Sequence, residues 1–405
     1  MLNIILFDTD ARSHLLPLTA TRPTGELRLG ILLLREKWER YLRGSVSYIT
    51  QEYLQQKYPI HIEEDNLIVS GNIVPDEALC RRLEQIQLGD ALLRDGELVA
   101  ARLNESQIES LIEDEQVGEL HGTELEADFP LRQVSHLWDF TPLNGAALVA
   151  DFALLTAGRR SQTISITNQL VGPIQNLFVE AGVSLECCIL NVSAGPVYIG
   201  ENAVVMEGSM LRGPLSIGAN AIVKMGAKIY GPTTIGPGCR VGGEVTRSIL
   251  FANSNKSHDG FLGDAVLGEW CNLGADTNNS NLKNNYSEVK LWDYATERFE
   301  KTGQQFMGLI MGDHAKCGIN TMFNTGTVVG AFANVFGAGY PRNFIPDFAW
   351  GGPDSSYRSY KLEEACITAA TVMARRQVAF TELDKAILQQ VFTLTAKYRT
   401  WEKGA

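Results

Sequence analysis

The chain has 405 residues, 45% of them hydrophobic and 20% charged, which is enough for two or three domains with sizeable cores and excludes global disorder. A formal charge of −12 and a pI near 5.1 disfavour nucleic acid as a partner, since a phosphate backbone rewards clustered Lys and Arg. A small phosphorylated ligand is still allowed, because it needs only a local cationic pocket. The seven cysteines include the neighbours Cys187 and Cys188 but no C-x-x-C, as expected of a reduced, cytoplasmic chain without a zinc site. No apolar run reaches the ~18 residues that span a membrane, and Leu2–Phe7 lacks the basic start of a signal peptide.

Leu2–Phe7 reads as a buried parallel strand ending at Asp8-Thr9-Asp10. The loop that follows carries Arg12 and Arg22, whose guanidinium groups suit bidentate phosphate binding or simple solvation. Helical periodicity runs from Glu26 to Arg43, followed by strands at Val46–Ile49 and Asn66–Ser70 with a helix near Glu52–Lys57 between them. This alternation predicts an open, Rossmann-like α/β sheet, whose ligands lie beyond the carboxyl ends of the strands. Residues 100–130 read as an acidic surface helix and loop, and the helical stretch from Trp138 to Arg159 closes the first domain, residues 1–160.

From Ile199 every sixth residue is aliphatic: Val205, Leu211, Ile217, Val223, Ile229, Ile235 and Val241. Four positions after each stands a residue that is mostly small, such as Ala203, Ser209, Ala221 and Ala227. A six-residue period fits neither helix nor ordinary strand and marks a parallel β-helix, in which the aliphatic residue points into a narrow prism and the small one fits a corner. The period breaks after Val245, returns at Leu267 and Leu273, and breaks again from Asn278 to about Phe306. It resumes at Met311, Cys317, Phe323, Val329 and Val335. The interruption carries Asn278, Asn279, Asn281, Lys283, Asn284, Asn285 and Tyr286, a hydrogen-bonding set on what is often the binding face of a solenoid. His314, on a resumed hexapeptide, is expected at the prism surface. Residues 161–345 form the prism domain, and residues 346–405 a loop over its open end followed by a capping helix or helix pair.

An α/β domain followed by a hexapeptide prism resembles the bifunctional sugar-nucleotide enzymes of the GlmU type, in a shorter, Bacteroidetes-like form. The likeness is sharpest from His258-Asp-Gly-Phe-Leu-Gly-Asp264 through Asn272-Leu-Gly-Ala275 to Asn281, without a gap. It implies a left-handed, trimeric prism that N-acetylates glucosamine-1-phosphate with acetyl-CoA as cosubstrate. It also implies a first domain that joins the sugar phosphate to UTP with Mg²⁺. His258 matches the general base, and the chemistry needs one, because only the free amine attacks a thioester. Asn272 and Asn281 match asparagines around the amine and acetyl carbonyl, and Ala275 offers a backbone contact to coenzyme A. Phe261 stands where the family has Tyr and Thr246 where it has Lys; Lys228, Arg247 and Lys256 are left to supply positive charge. In the first domain Thr24 replaces a family Lys, with Arg22 as its stand-in, and Asp8-Thr-Asp-Ala-Arg12 occupies the place of the phosphate loop. Asn72 replaces a magnesium-binding Asp, and a neutral amide is the poorer ligand; Asp151 would supply the second carboxylate. Two other readings remain open: a nucleotidyltransferase for another sugar-1-phosphate with the prism as trimer scaffold, and a non-catalytic sugar-nucleotide-binding protein.

Overall fold

The computed structural model describes residues 2–114 and 120–404. It divides into two compact units: Met1–His14, Arg22–Leu27 and Leu32–His136 make the first, and Leu15–Thr21, Arg28–Ile31 and Leu137–Ala405 the second. Among the described residues no helix is long and apolar enough to cross a membrane.

The first unit is a six-stranded sheet of β1 (Leu2–Phe7), β2 (Gly44–Ile49), β3 (Asn66–Ser70), β4 (Asp90–Arg94), β5 (Glu97–Leu103) and β6 (His121–Glu124), in the order β2-β1-β3-β5-β4-β6. β1 runs parallel to both β2 and β3, while β5 pairs antiparallel with β3 and β4. The uninterrupted apolar run of β1 follows from burial on both faces. Ile4 and Leu6 join Trp38, Leu67 and Val69 on one side, and Ile5 joins Ile68, Ala101 and Ile108 on the other. The hairpin of β4 and β5 lies outside the predicted alternation, and the acidic stretch after it does form a helix, Glu105–Asp114.

The helix predicted from Glu26 is shorter than its periodicity: α1 spans Leu34–Leu42. The chain before it cannot continue the helix, because Gly30 sits at φ +74 and its amide and that of Ile31 are held by side chains of the second unit, to which Arg28–Ile31 themselves belong. Asn144 Oδ1 accepts from Gly30 N–H at 2.8 Å and Asp151 Oδ2 from Ile31 N–H at 2.8 Å. Both acceptors lie on α2 (Phe140–Thr156), which groups with the prism. Thr234 donates to Asn144, and Phe140 packs its ring on Phe251. The first compact unit ends at His136.

The rest of the second unit is a three-faced solenoid. Sheets of six, nine and ten strands run along it, parallel except for the last pair of the ten-stranded one, and in the regular coils each residue pairs with the one three hexapeptides on: Val205 with Val223, Leu211 with Ile229, Ile217 with Ile235. Every aliphatic residue of the six-residue series from Ile199 to Val241 is buried, each worth about 1.5–3 kcal/mol of burial. Small residues fill the corners, where Ser209 and Thr233 turn their hydroxyls onto local carbonyls. The solenoid starts at Gln169, earlier than the perfect period, and absorbs the interruption without losing register, since Leu267 pairs with Met311 and Leu273 with Cys317. The excursion itself contains an antiparallel hairpin, Lys290–Asp293 with Arg298–Lys301.

His314 is not at the surface. It is buried at a corner of left-handed backbone, φ 58, stacked between Trp270 and Phe332. Each coil repeats this corner, so large residues there stack on one another instead of facing water. At the far end Phe344–Ile345 and Ala349–Gly351 extend two faces, so the predicted loop is a last coil. Two helices, α3 (Leu362–Ala374) and α4 (Glu382–Leu394), follow it.

The corners set a sharp stability test. A Cβ at Gly236 would lie 1.2 Å from the Phe251 carbonyl oxygen, whereas one at Gly226 meets nothing within 4 Å. Gly236→Ala should cost about 4 kcal/mol or more, and Gly226→Ala only the ~1–2 kcal/mol of a left-handed alanine, as read by urea denaturation.

Candidate functional site

One edge of the prism gathers the residues singled out by the sequence. His258 is exposed on the corner between the strands Asn255–Lys256 and Phe261–Gly263. The next corner, residues 274–277, stacks directly on it: a Cβ on Gly260 would lie 2.2 Å from the Thr277 carbonyl. Ala275 is part of that second corner, half-buried, its carbonyl accepting from Asn320 N–H at 2.8 Å. Asn272, exposed on the strand leading into it, accepts from Asn255 at 3.3 Å. Asn255 is itself held by Arg376, just past α3, at 3.1 Å.

On the face beyond the His258 corner, parallel pairing stacks Lys228, Glu244 and Phe261 in one outward row and Tyr230, Thr246 and Gly263 in the next. Lys228 is exposed; Tyr230 donates to Glu244, which raises the Tyr230 pKa to about 12. The site strand is completed by asparagine side chains acting as a neighbouring strand. Asn278 Oδ1 accepts from Phe261 N–H at 2.7 Å, and Asn279 exchanges both bonds with Gly263 at 2.9 Å. The asparagine-rich interruption thus builds the site's backbone as well as its surface.

Arg247 grips Asp264 with two parallel bonds of 2.7 and 2.8 Å, and Asn281 Nδ2 donates to the same carboxylate at 2.6 Å. The guanidinium also lies 4.6 Å from the ring centre of Phe306. The bond to Asp264 raises the Arg247 pKa, so the charge is permanent but largely spent on the carboxylate. Arg247, expected to face phosphate, is therefore primarily a clamp, and Lys228 is the more open cation of this face. Asp264, nearly fully buried and at a left-handed φ of 48, was given no role by sequence reasoning; its one signal there was the Gly263-Asp264 pair.

In the first unit, Asp8 follows β1 and is clasped on all sides. Its Oδ1 accepts from Thr24 N–H at 2.8 Å and Thr24 Oγ1 at 2.6 Å, and its Oδ2 from Thr50 Oγ1 at 2.5 Å. Arg12 Nε lies 3.3 Å from Oδ2, while its Nη2 donates to Tyr53 at 2.7 Å. A carboxylate held by a cation and hydroxyls thus follows the first strand. Arg22 is buried in the same unit.

The expected Mg²⁺ ligands do not fit a metal. Asn72, buried in the first unit, accepts from Ser70 Oγ at 2.6 Å through the oxygen a cation would need. Asp151 belongs to the second unit, where its carboxylate binds the Ile31 amide.

Residues 4–160 match a family model described as sugar nucleotidyl transferase. The chain is also similar to proteins described as bifunctional GlmU. One from Methanocaldococcus jannaschii is 36% identical over 88 residues, 22% of this chain and 21% of that protein. One from Methanococcus maripaludis is 28% identical over 221 residues, 53% of this chain and 45% of that protein. A bifunctional sugar-1-phosphate nucleotidylyltransferase/acetyltransferase of Sulfurisphaera tokodaii is 32% identical over 93 residues, covering 23% of each. The matches thus span less than half the length of these relatives. Among solved structures, a UDP-N-acetylglucosamine acyltransferase from Campylobacter jejuni superposes over 60% of this chain and 86% of that one, at 12% identity and a TM-score of 0.30. That superposition is too loose to add to the strand pairings. These resemblances make the chain similar to proteins of the GlmU type over part of its length.

The Arg247–Asp264 clamp can be broken from one side. Asp264→Ala should cost about 2–3 kcal/mol, less than a fully buried pair because Arg247 is 38% exposed. Calorimetry should show the loss, with Asp264→Asn intermediate.

Proposed function

We propose that this GlmU-like chain is a bifunctional transferase acting on a sugar-1-phosphate: the prism N-acetylates glucosamine-1-phosphate from acetyl-CoA, and the first unit joins the product to UTP. The observation that carries the reading is the exposed His258 on a corner stacked against that of Ala275, beside the row of Lys228, Glu244 and Phe261. In the acetyl step His258 takes the proton of the sugar ammonium, the amine attacks the thioester carbonyl, and the C–S bond breaks to release coenzyme A. Lys228 faces the sugar phosphate, Phe261 and Asn281 shape the sugar pocket, and Asn272 and Ala275 meet the acyl donor. The functional form is a homotrimer with each acetyl site shared between neighbouring prisms.

In the nucleotidyl step a phosphate oxygen of the sugar attacks the α-phosphorus of UTP and pyrophosphate leaves, with Arg22 and Arg12 toward the phosphates and Mg²⁺ carried in by the nucleotide. A second reading, sugar-nucleotide binding without turnover in the first unit, is favoured by one feature, the clasped Asp8 carboxylate where triphosphate would lie. Incubation with glucosamine-1-phosphate, acetyl-CoA, UTP and Mg²⁺, followed by mass spectrometry, separates them. UDP-N-acetylglucosamine supports both activities, acetylated sugar phosphate alone supports the second reading, and neither product overturns both.

His258→Ala should lower acetyl-transfer kcat about 10²- to 10⁴-fold with little change in KM for acetyl-CoA, and His258→Asn should be as damaging, since it restores hydrogen bonding but not basicity. Activity of His258→Ala within threefold of wild type removes the base from this residue. Independently, Arg22→Ala should reduce kcat/KM for nucleotidyl transfer about 10- to 150-fold, the loss of one charge-assisted contact, and leave acetyl transfer untouched.

A further inference from the structure

We infer that Lys256 is a positioning residue for the catalytic corner: its buried ammonium stands in for a missing stretch of backbone and holds residues 257–260, and with them His258, in place. In an ordinary coil six positions separate the inward residues on either side of this corner, as from Val223 to Ile229, and Ala227 fills the turn. One coil later Val241 and Val245 are only four positions apart, and Gly242–Gly243 cut straight across without a filler. The following coil regains full length, from Lys256 to Leu262. A full corner therefore stacks on a short one, and their carbonyls converge on the space that the missing residues would have filled.

Lys256 occupies that space. It pairs with Val241, so its side chain takes the inward position that is aliphatic in the other coils, and it is 1% exposed. Its Nζ donates to the carbonyls of Gly242 at 3.3 Å, Asp259 at 3.0 Å and His258 itself. Three donors meet three acceptors, which matches the full capacity of an ammonium. Burial pushes its pKa down to about 8 against the raising influence of Asp259, Asp276 and Cys317, so the group stays mostly protonated at neutral pH. A Val or Leu would suit the apolar column better, and burying a cation there is costly unless its partners need it. Backbone bonds flank the lysine, Gly242 N–H to the Lys256 carbonyl at 2.7 Å and Glu244 N–H to the Gly260 carbonyl at 3.2 Å, and between them the ammonium ties the Gly242 carbonyl of the short corner to the His258 and Asp259 carbonyls of the full one.

The catalytic half of this inference rests on His258 acting as the base; the structural half does not, and the test separates them. Hydrogen exchange is followed by mass spectrometry on the full-length protein, comparing wild type, Lys256→Met and Lys256→Gln, with Val205→Ala as the baseline for a prism change remote from this corner. Lys256→Met should speed exchange at residues 257–261 by about tenfold or more while distant coils keep their protection, and Lys256→Gln, which retains an amide donor, should fall between. Acetyl-transfer kcat should fall about 10- to 100-fold in the same order, with KM for acetyl-CoA unchanged. Unaltered exchange at 257–261 in Lys256→Met overturns the inference whatever the activity. A loosened corner with wild-type kcat overturns its catalytic half. If wild type itself acetylates nothing, the His258 reading fails and exchange alone decides the role of Lys256. Should Lys256→Met not fold, Lys256→Gln carries the same comparison.

Discussion

The second unit depends on one constraint: a narrow prism filled by stacked columns of aliphatic and small side chains leaves little slack. Each coil stacks on the last through backbone bonds and through those columns of side chains, so a change of length must be made up at a corner. Where the coil keeps its full length, aliphatic residues and small fillers suffice. Where it is shortened, something polar has to replace backbone, and here a lysine does so from inside. The same logic runs through the interruption, where Asn278 and Asn279 lend side-chain amides to Phe261 and Gly263 as though they were a neighbouring strand. Buried polar groups are tolerated in such a column only when their bonding is complete.

The first unit meets an electrostatic constraint of a different kind. Its sheet leaves the C-terminal ends of β1, β2 and β3 together, the usual place for a phosphate. The chain puts Asp8 there and surrounds it with Thr24, Thr50 and Arg12, so the carboxylate acts as a resident anion. Like charges at close range compete for the same cation. A triphosphate entering this end would have to draw Arg12 away from Asp8 or rely on other donors, and this is where the nucleotidyl half of the proposed function is most exposed to test.

Much of this was legible in the residues. The six-residue series from Ile199 gave the prism directly, and its return at Met311 and Cys317 correctly implied that the interruption leaves the stack intact. The run Leu2–Phe7 was a parallel strand as read. Periodicity failed where tertiary contacts overrode it. Arg28–Ile31 sits inside a helical pattern, but its amides are captured by Asn144 and Asp151, more than a hundred positions later, which no local pattern encodes. Asp151 looked like a metal carboxylate because sequence shows the group and not its partner. His314 looked exposed because a corner residue in one coil gives no sign that Trp270 and Phe332 stack above and below it. Lys256 was read as a cation facing the ligand, and Asp264 was given no role, for a related reason: a hydrophobic count registers the break in the period but not what the side chain at the break holds.

Those breaks share a location. The short corner at Gly242–Gly243, the buried Lys256, the Arg247–Asp264 clamp and the asparagines that complete the site strand all fall within the few coils that carry His258. A solenoid built from identical hexapeptides presents identical, featureless faces, and a face without irregularity has no concave corner to hold a small molecule. Shortening one coil sets the Gly242–Gly243 corner against the full-length corner of the next, on which His258 is exposed. The polar residues that stabilise this step are the means by which a regular scaffold acquires a site, so the positions that violate the repeat are the ones where chemistry should be sought.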